Sequence, residues 1–350
     1  MYKKLAVFTL ALASCGTIVT GLAGQGTSSE LQLVTRSADA LGGRDRVMAL
    51  KTLQIVGYGE LAYFDGGGNI TGDRAAPQKW QKALDYRRTI DLEHGRTRVQ
   101  QRLRMDFVFA STVGQLGLNR TNETLDDDVA YNVGGGFLAA AQAGAPQPQP
   151  AGSAVARQRR VELLAHPITI IRAALDPTTK LSNLRKQGNL QLVDVTVRQG
   201  DTLTLAVNAT SNLPEWVSYV GPHVNLGDVR YETHFIGYVP EKGIQLPTAF
   251  ATTIDWRNVV HSKLDVDRNI VDEPIDDLSA PASVRSTDCR GDQSSRCPSK
   301  SRTPSGRTSS PTTSRMRPNG VSKSWCGRIG TSWQQRGPVS SVTSCAPRAR

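Results

Sequence analysis

The sequence predicts a mainly β fold of the α+β kind: a curved antiparallel sheet or half-barrel with a small helical layer, followed by a disordered tail. Three observations lead there. Between Leu53 and Val271, apolar residues alternate along strand-length runs that end at turns. A single long stretch, Val155–Leu175, repeats apolar residues at helical spacing. From Asp288 onward the chain contains no Leu, Phe, Tyr, Glu or His, so it lacks the material of a core.

The elements follow in order. Residues 1–23 place Lys3 and Lys4 before an apolar run, the layout of a secretory signal. The uninterrupted apolar length falls short of the roughly 20 residues that a spanning helix needs. Leu12-Ala13-Ser14-Cys15 resembles a bacterial lipoprotein cleavage box, which would make Cys15 the lipidated residue. Cleavage near Ala23 gives a periplasmic or extracellular chain, and lipidation at Cys15 an outer-membrane one. Ser37–Leu50 predicts a short helix, a Gly-Gly break and a further helical turn, with Leu41, Val47 and Leu50 as the apolar face.

Leu53–Phe64 reads as a strand packed on one face, and Gly66–Asn69 as a loop. The clearest hairpin turns at His94-Gly95. In it Tyr86, Arg88, Ile90 and Leu92 share one face and Arg87, Thr89, Asp91 and Glu93 the other. Its arginines read as a solvated outer face, with an anionic-ligand site as the alternative. Asp126–Asp128 reads as a turn with solvated acids, because it lacks the ordered oxygen spacing and closing Glu of a calcium loop.

The Pro-, Gly- and Gln-rich segment 141–154 predicts a surface loop. In Val155–Leu175, Pro167 predicts a kink or two short helices around His166. A strand pair turning at Gln199-Gly200-Asp201 and further meander strands complete a β-rich domain over residues 31–274. Leu213-Pro214 and Leu246-Pro247 mark strand starts or edges. Residues 275–287 read as a linker and 288–350 as the tail.

The formal net charge of +11 invites a nucleic-acid reading, but its location excludes one. Residues 288–350 carry twelve Lys and Arg against two Asp, which accounts for +10 of that charge. The body is close to neutral and offers no basic footprint for phosphates. Cysteine is skewed likewise: Cys289, Cys297, Cys326 and Cys345 lie in the tail and Cys15 in the leader. The body is therefore held by burial and backbone pairing rather than by crosslinks.

Several segments together carry a family resemblance: "ADALGGRDRVMALKTLQIVGYG", "YRRTIDLEHGRTRVQQR", "DDDVAYNV", "RRVELLAHPITIIRAALDP" and "LPEWVSYVGPHVNLGDVRYETHF". Over Leu31 to Val284 the chain resembles the N-terminal region of exported bacterial metallo-β-lactamase-fold (MBL-fold) metallo-hydrolases. The meander, "ALGG" near the start and the return at Gly243–Pro247 also resemble periplasmic lipoprotein-carrier half-barrels. The first resemblance implies a following hydrolase domain with an H-x-H-x-D-H motif. There two imidazoles one residue apart reach one zinc, which makes hydroxide near neutral pH.

That motif is absent. The histidines are His94, His166, His223, His234 and His261, and no pair has i, i+2 or i, i+4 spacing. No Gly-x-Ser-x-Gly elbow is present, and the glycines at 66–68 and 134–136 lack a strand–loop–helix setting. The sequence thus names no catalytic, cofactor-binding or metal-ligating residue, and zinc is expected only of full-length family members. His166 reads as a packed or turn-capping residue.

The tail admits three readings: a basic arm, a disulfide module in which four cysteines pair in one of three ways, or a shifted reading frame. Its Arg, Ser, Pro and Thr mixture with scattered Cys and Trp favours the last, placed where the resembling proteins pass to their hydrolase domain. The expectation for function is an accessory domain of an MBL-fold hydrolase-like protein, non-catalytic in this chain. The alternative is a periplasmic binding module for an apolar or lipid-like small molecule, with an association with the envelope. A closed, apolar cavity between sheet and helices separates it from a solidly packed domain.

Overall fold

The computed structural model describes residues 28–63, 78–105, 119–134, 146–223, 225–255 and 259–285. The leader with Cys15, the Gly66–Asn69 loop and the tail with its four cysteines lie outside the described residues.

Thirteen antiparallel strands form one sheet. They are β1 (Thr52–Ala62), β2 (Trp80–Asp91), β3 (Arg96–Met105), β4 (Asn119–Asp126), β5 (Val129–Val133), β6 (Pro148–Pro150), β7 (Lys180–Gln187), β8 (Leu190–Thr196), β9 (Thr202–Asn208), β10 (Pro214–His223), β11 (Gly227–Glu241), β12 (Ile244–Ile254) and β13 (Val259–Val271). Among the described residues they are accompanied by the helices α1 (Ser29–Ala40), α2 (Arg44–Ala49), α3 (Ser153–Leu164) and α4 (Pro167–Leu175), and by a helical turn at 282–285. The chain enters at the centre on β1 and meanders outward to β6. It crosses through α3 and α4 to the opposite edge at β7, then meanders back until β13 pairs with β1.

The sheet stays open, so both edges need protection. At β6 the residues Pro148 and Pro150 remove ladder donors. At β7, Lys180, Arg185 and Lys186 sit on a strand whose pairing slips between Ser182 and Arg185, with Asn183 at φ 58°. Irregularities in the central strands bend the sheet. Pairing shifts occur in β1–β2 at Gly57/Gly59, in β2–β3 at Leu84/Arg87 and in β12–β13 at Thr252/Thr253. Gly57 and Gly59 permit the close approach of β13, since a Cβ there would lie 2.0 Å from the Asp265 carbonyl oxygen or 2.1 Å from that of Lys263.

The concave face holds the helices and the main core. Leu53, Ile55, Ile90, Leu125, Leu205 and Val217 meet Leu33, Leu41, Leu164 and Ile171 there. In α4 nearly every side chain is buried, because α1, α2 and α3 surround a helix that already lies on the sheet. His166 is the N-cap that the sequence suggested: its Nδ1 accepts from the Ile168 N–H at 3.2 Å, and Pro167 occupies the first helical turn. The Gly-Gly break between α1 and α2 follows from close packing, since a Cβ on Gly42 (φ 129°) would lie 2.2 Å from the Gly243 carbonyl oxygen. Among the described residues no helix is long and apolar enough to cross a membrane.

The structure differs from expectation in three places. Strands β4 and β7 are polar along both faces, and periodicity did not reveal them. Asp126 is not a solvated turn acid. It is buried on the convex face, where it accepts from Arg96 Nε at 2.7 Å, from the Ala280 N–H at 2.8 Å and from Arg285. The segment 275–285, read as a linker, is packed over that face rather than free. Leu278 and Val284 are buried, the Tyr131 hydroxyl donates to the Leu278 and Ser279 carbonyls, and Arg98 donates to that of Asp277.

Candidate functional site

Helix α3 roofs the concave face and ties its two wings together. On one side Arg159 donates to the carbonyls of Thr124 (2.9 Å) and Tyr131 (3.0 Å) and to Asn132 Oδ1 (2.6 Å), all on β4 and β5. On the other, Arg157 and Arg160 pair with Asp201 in the β8–β9 turn, at 2.7 and 3.2 Å. Arg160 also reaches Asp128 in the β4–β5 turn at 2.7 Å. Three arginines within four residues thus point to three separate anchorages.

Beneath this roof lies a cavity of about 290 Å³. Its walls are partly apolar, from Ile55, Leu61, Ala83, Phe250 and Leu264. Phe250 packs edge-on to Phe235 and lies 5.6 Å from the His166 ring. An aromatic wall comes from β10 and β11, where Tyr219 and Tyr231 stack at 5.2 Å. His261 meets Tyr231 edge-on at 5.5 Å and His223 at 5.8 Å. Burial, with His223 beside it, lowers His261 to about 4, so it is neutral at pH 7. Burial raises the Tyr231 hydroxyl to about 12, and that hydroxyl donates to the Pro222 carbonyl.

The cavity also has a polar side, made by α3 and β2. Arg88 lies on the concave face between Tyr86 and Ile90, as the alternation placed it. Its Nη2 donates to the Glu162 main-chain carbonyl at 2.8 Å, and its Nε is buried without a partner among the described residues. The Glu162 carboxylate accepts from Gln158 at 2.9 Å, and burial raises its pKa. Arg159 lies 3.8 Å from Glu123; burial lowers its pKa, which these nearby acids oppose. Burial also raises Tyr86 and Tyr219, so both are phenols that can donate. The lining is therefore amphipathic, where a purely apolar one was the expectation for a binding module.

A second cavity of about 440 Å³ opens at the turn end, under Leu92, Leu163 and Leu175. Of the arginines that line it, Arg160 is engaged with Asp128 and Asp201, Arg172 with the carbonyls of Val47, Met48 and Leu92, and Arg198 is exposed to solvent near Asp176. The first cavity is the better candidate because its unengaged donor, Arg88 Nε, is buried.

The remaining histidines do not join it: His94 is exposed and bonded to Asp91, and His234 pairs with Glu232. His223 and His261 meet across 38 positions of sequence, which spacing could not reveal. Among the described residues no group of three or more His, Cys, Asp or Glu is gathered that could hold a metal ion.

No family model matches the sequence, and no curated protein matches it. Solved structures that are similar at a distance include the following two. A LolA superfamily protein from Nitrosomonas europaea is 11% identical over 71% of this chain and 96% of its own, with a TM-score of 0.41. A DUF1329 family protein from Desulfovibrio piger is 9% identical over the same shares, with a TM-score of 0.35. The resemblance of Leu31–Val284 to MBL-fold hydrolases finds no support in these comparisons.

Proposed function

We propose that this chain is a binding module that takes an apolar or lipid-like molecule into the cavity between α3 and the concave face. The cavity itself carries the reading. Protein interiors leave few voids larger than a water molecule. A lined space of about 290 Å³, in a layer otherwise closed by Leu, Ile and Val, is a design feature of ligand sites. Its mixed lining suits an amphipathic molecule with most of its surface on Ile55, Leu61, Phe250 and Leu264. Export of the chain, expected from residues 1–23, would put the cavity in the cell envelope beside such molecules.

The test uses the purified full-length chain and N-phenylnaphthylamine, whose fluorescence rises in apolar surroundings. Saturable binding is expected. Ala83→Phe and Thr252→Phe, which fill the cavity from β2 and β12, should weaken it at least about tenfold while leaving the circular dichroism unchanged, since loss of a full apolar contact surface exceeds about 1.4 kcal/mol. Absence of probe binding, or equal binding by folded variants, would remove the proposal.

A further inference from the structure

The chemistry of the ligand's polar end can be read from the polar side of the cavity, given the binding-module reading. We infer that the cavity takes a carboxylate-bearing amphiphile head-in, with the single negative charge against Arg88 and between the hydroxyls of Tyr86 and Tyr219. The apolar part then runs along β1, β2 and β13 past Ala83 and Leu264 toward Leu61.

The argument is one of unmatched charge and unmatched donors. Arg88 spends Nη2 on a main-chain carbonyl, and among the described residues no carboxylate lies within ion-pair distance of it. Its Nε has no partner among the described residues. The other guanidinium in the lining, Arg159, makes three hydrogen bonds, to two carbonyls and Asn132, and Glu123 offsets its charge at 3.8 Å. Glu162 makes no ion pair with Arg88: its carboxylate accepts from Gln158, and burial raises its pKa although Arg88 nearby acts to lower it. One positive charge thus lines the cavity without an ion-pair partner among the described residues, an arrangement that an arriving anion relieves.

The neighbouring groups fit the same chemistry. The Tyr86 and Tyr219 hydroxyls have no hydrogen-bond partner among the described residues, and both residues line the cavity. Phenol hydroxyls and a planar guanidinium together present donors to an oxygen acid. One cation matches a monoanion; a phosphate dianion would leave one negative charge unbalanced beside Glu123. A cationic head would face Arg88 directly. Position in sequence supports a dedicated role as well, since Arg87 on the same strand points outward and is exposed while Arg88 shares the face of Tyr86 and Ile90.

The experiment compares decanoate, decanol and decyltrimethylammonium on the full-length chain at pH 7 by titration calorimetry. Decanoate should bind about tenfold or more tighter than decanol, the scale of a hydrogen bond to a charged group, and the cation most weakly. Arg88→Met should bring decanoate to the level of decanol and leave decanol within about twofold. Equal binding of acid and alcohol by the wild type, preference for the cation, or acid preference that survives Arg88→Met would each overturn the inference and leave the binding module standing. If none of the three binds, the module reading falls first. Should Arg88→Met not fold, Tyr86→Phe with Tyr219→Phe decides: removal of both hydroxyls without loss of volume should lower decanoate affinity at least about fivefold and spare decanol. Unchanged decanoate binding in that variant would overturn the inference equally.

Discussion

Replacement of Arg159 by Met removes the buried link between the α3 roof and the β4–β5 wing and leaves only the exposed Arg160–Asp128 pair at the turn. The guanidinium is 10% exposed and makes three hydrogen bonds, at 2.9 and 3.0 Å to main-chain carbonyls and 2.6 Å to Asn132. Hydrogen bonds to a charged group are worth about 1.5–3 kcal/mol each, so the gross loss is about 4–9 kcal/mol. Returning a guanidinium to water recovers several kcal/mol, and Met refills most of the volume. The net expected destabilisation is about 2–4 kcal/mol. At about 2–4 °C per kcal/mol for a domain of this size, Tm should fall by roughly 4–16 °C. Urea denaturation gives the free energy, and hydrogen exchange locates it: amides of β4 and β5 should lose protection before those of β11 and β12. Arg159→Lys should recover little, because an ammonium cannot reach three acceptors in the same fork. A Met variant within about 0.5 kcal/mol of wild type would refute the account of α3 as a structural bridge.

Three further outcomes follow from other parts of the fold. His261 is lowered to about 4 and His166 well below its ordinary value, both chiefly by burial. Each is neutral when folded and takes a proton near pH 6.5 when unfolded, so their stabilisation is whole above about pH 6.5 and is lost as pH falls toward about 4 for His261. Urea midpoints should therefore drop between pH 7 and 5, and a His166→Asn, His261→Gln double variant should flatten the curve; an equally steep curve in that variant would assign the dependence elsewhere. Asp126→Ala strips the buried acceptor from Arg96, Arg285 and the Ala280 N–H, which should cost about 1–3 kcal/mol and open residues 277–285 to limited proteolysis, measured by cleavage rate. Gly59→Ala places a Cβ against the Lys263 carbonyl and should destabilise the β1–β13 junction by about 1–3 kcal/mol in the same denaturation assay.

The parts of this fold that were legible in the sequence are those where one face is buried and the other wet. The β2–β3 hairpin alternates cleanly and turns at His94-Gly95, and Pro167 splits α3 from α4 where a proline must. Strand β4, "NRTNETLD", gave no such signal: Leu125 alone carries apolar bulk inward, Glu123 faces the cavity, and Thr124 and Asp126 are covered from outside by Arg98 and the 275–285 segment. That covering depends on contacts across some 150 positions, which no local pattern reports. The cavity is assembled from β2, α3, β10 and β11 and was equally invisible as an ensemble. Its one local mark was Arg88, a charged residue at an inward position between Tyr86 and Ile90. The ordinary reading assigned the arginines of this hairpin to solvent. The position within the alternation, rather than the residue type, was the informative feature.

Two sources of positive charge in this chain must be kept apart when anion binding is measured. The tail carries +10 of the formal +11, whereas Arg88 is a single enclosed cation. Exposed charges act through solvent and are screened within about 8–10 Å at ordinary salt, while an enclosed pair is screened far less. Decanoate bound at Arg88 should therefore change in affinity by less than about threefold between 0.05 and 0.5 M sodium chloride. Attraction to the tail should collapse over the same range, by about tenfold or more. The comparison needs no variant and works on the intact chain. A steep salt dependence would move anion recognition out of the cavity, because no change in bulk ionic strength reaches a guanidinium roofed by α3 as it reaches an arginine in solvent.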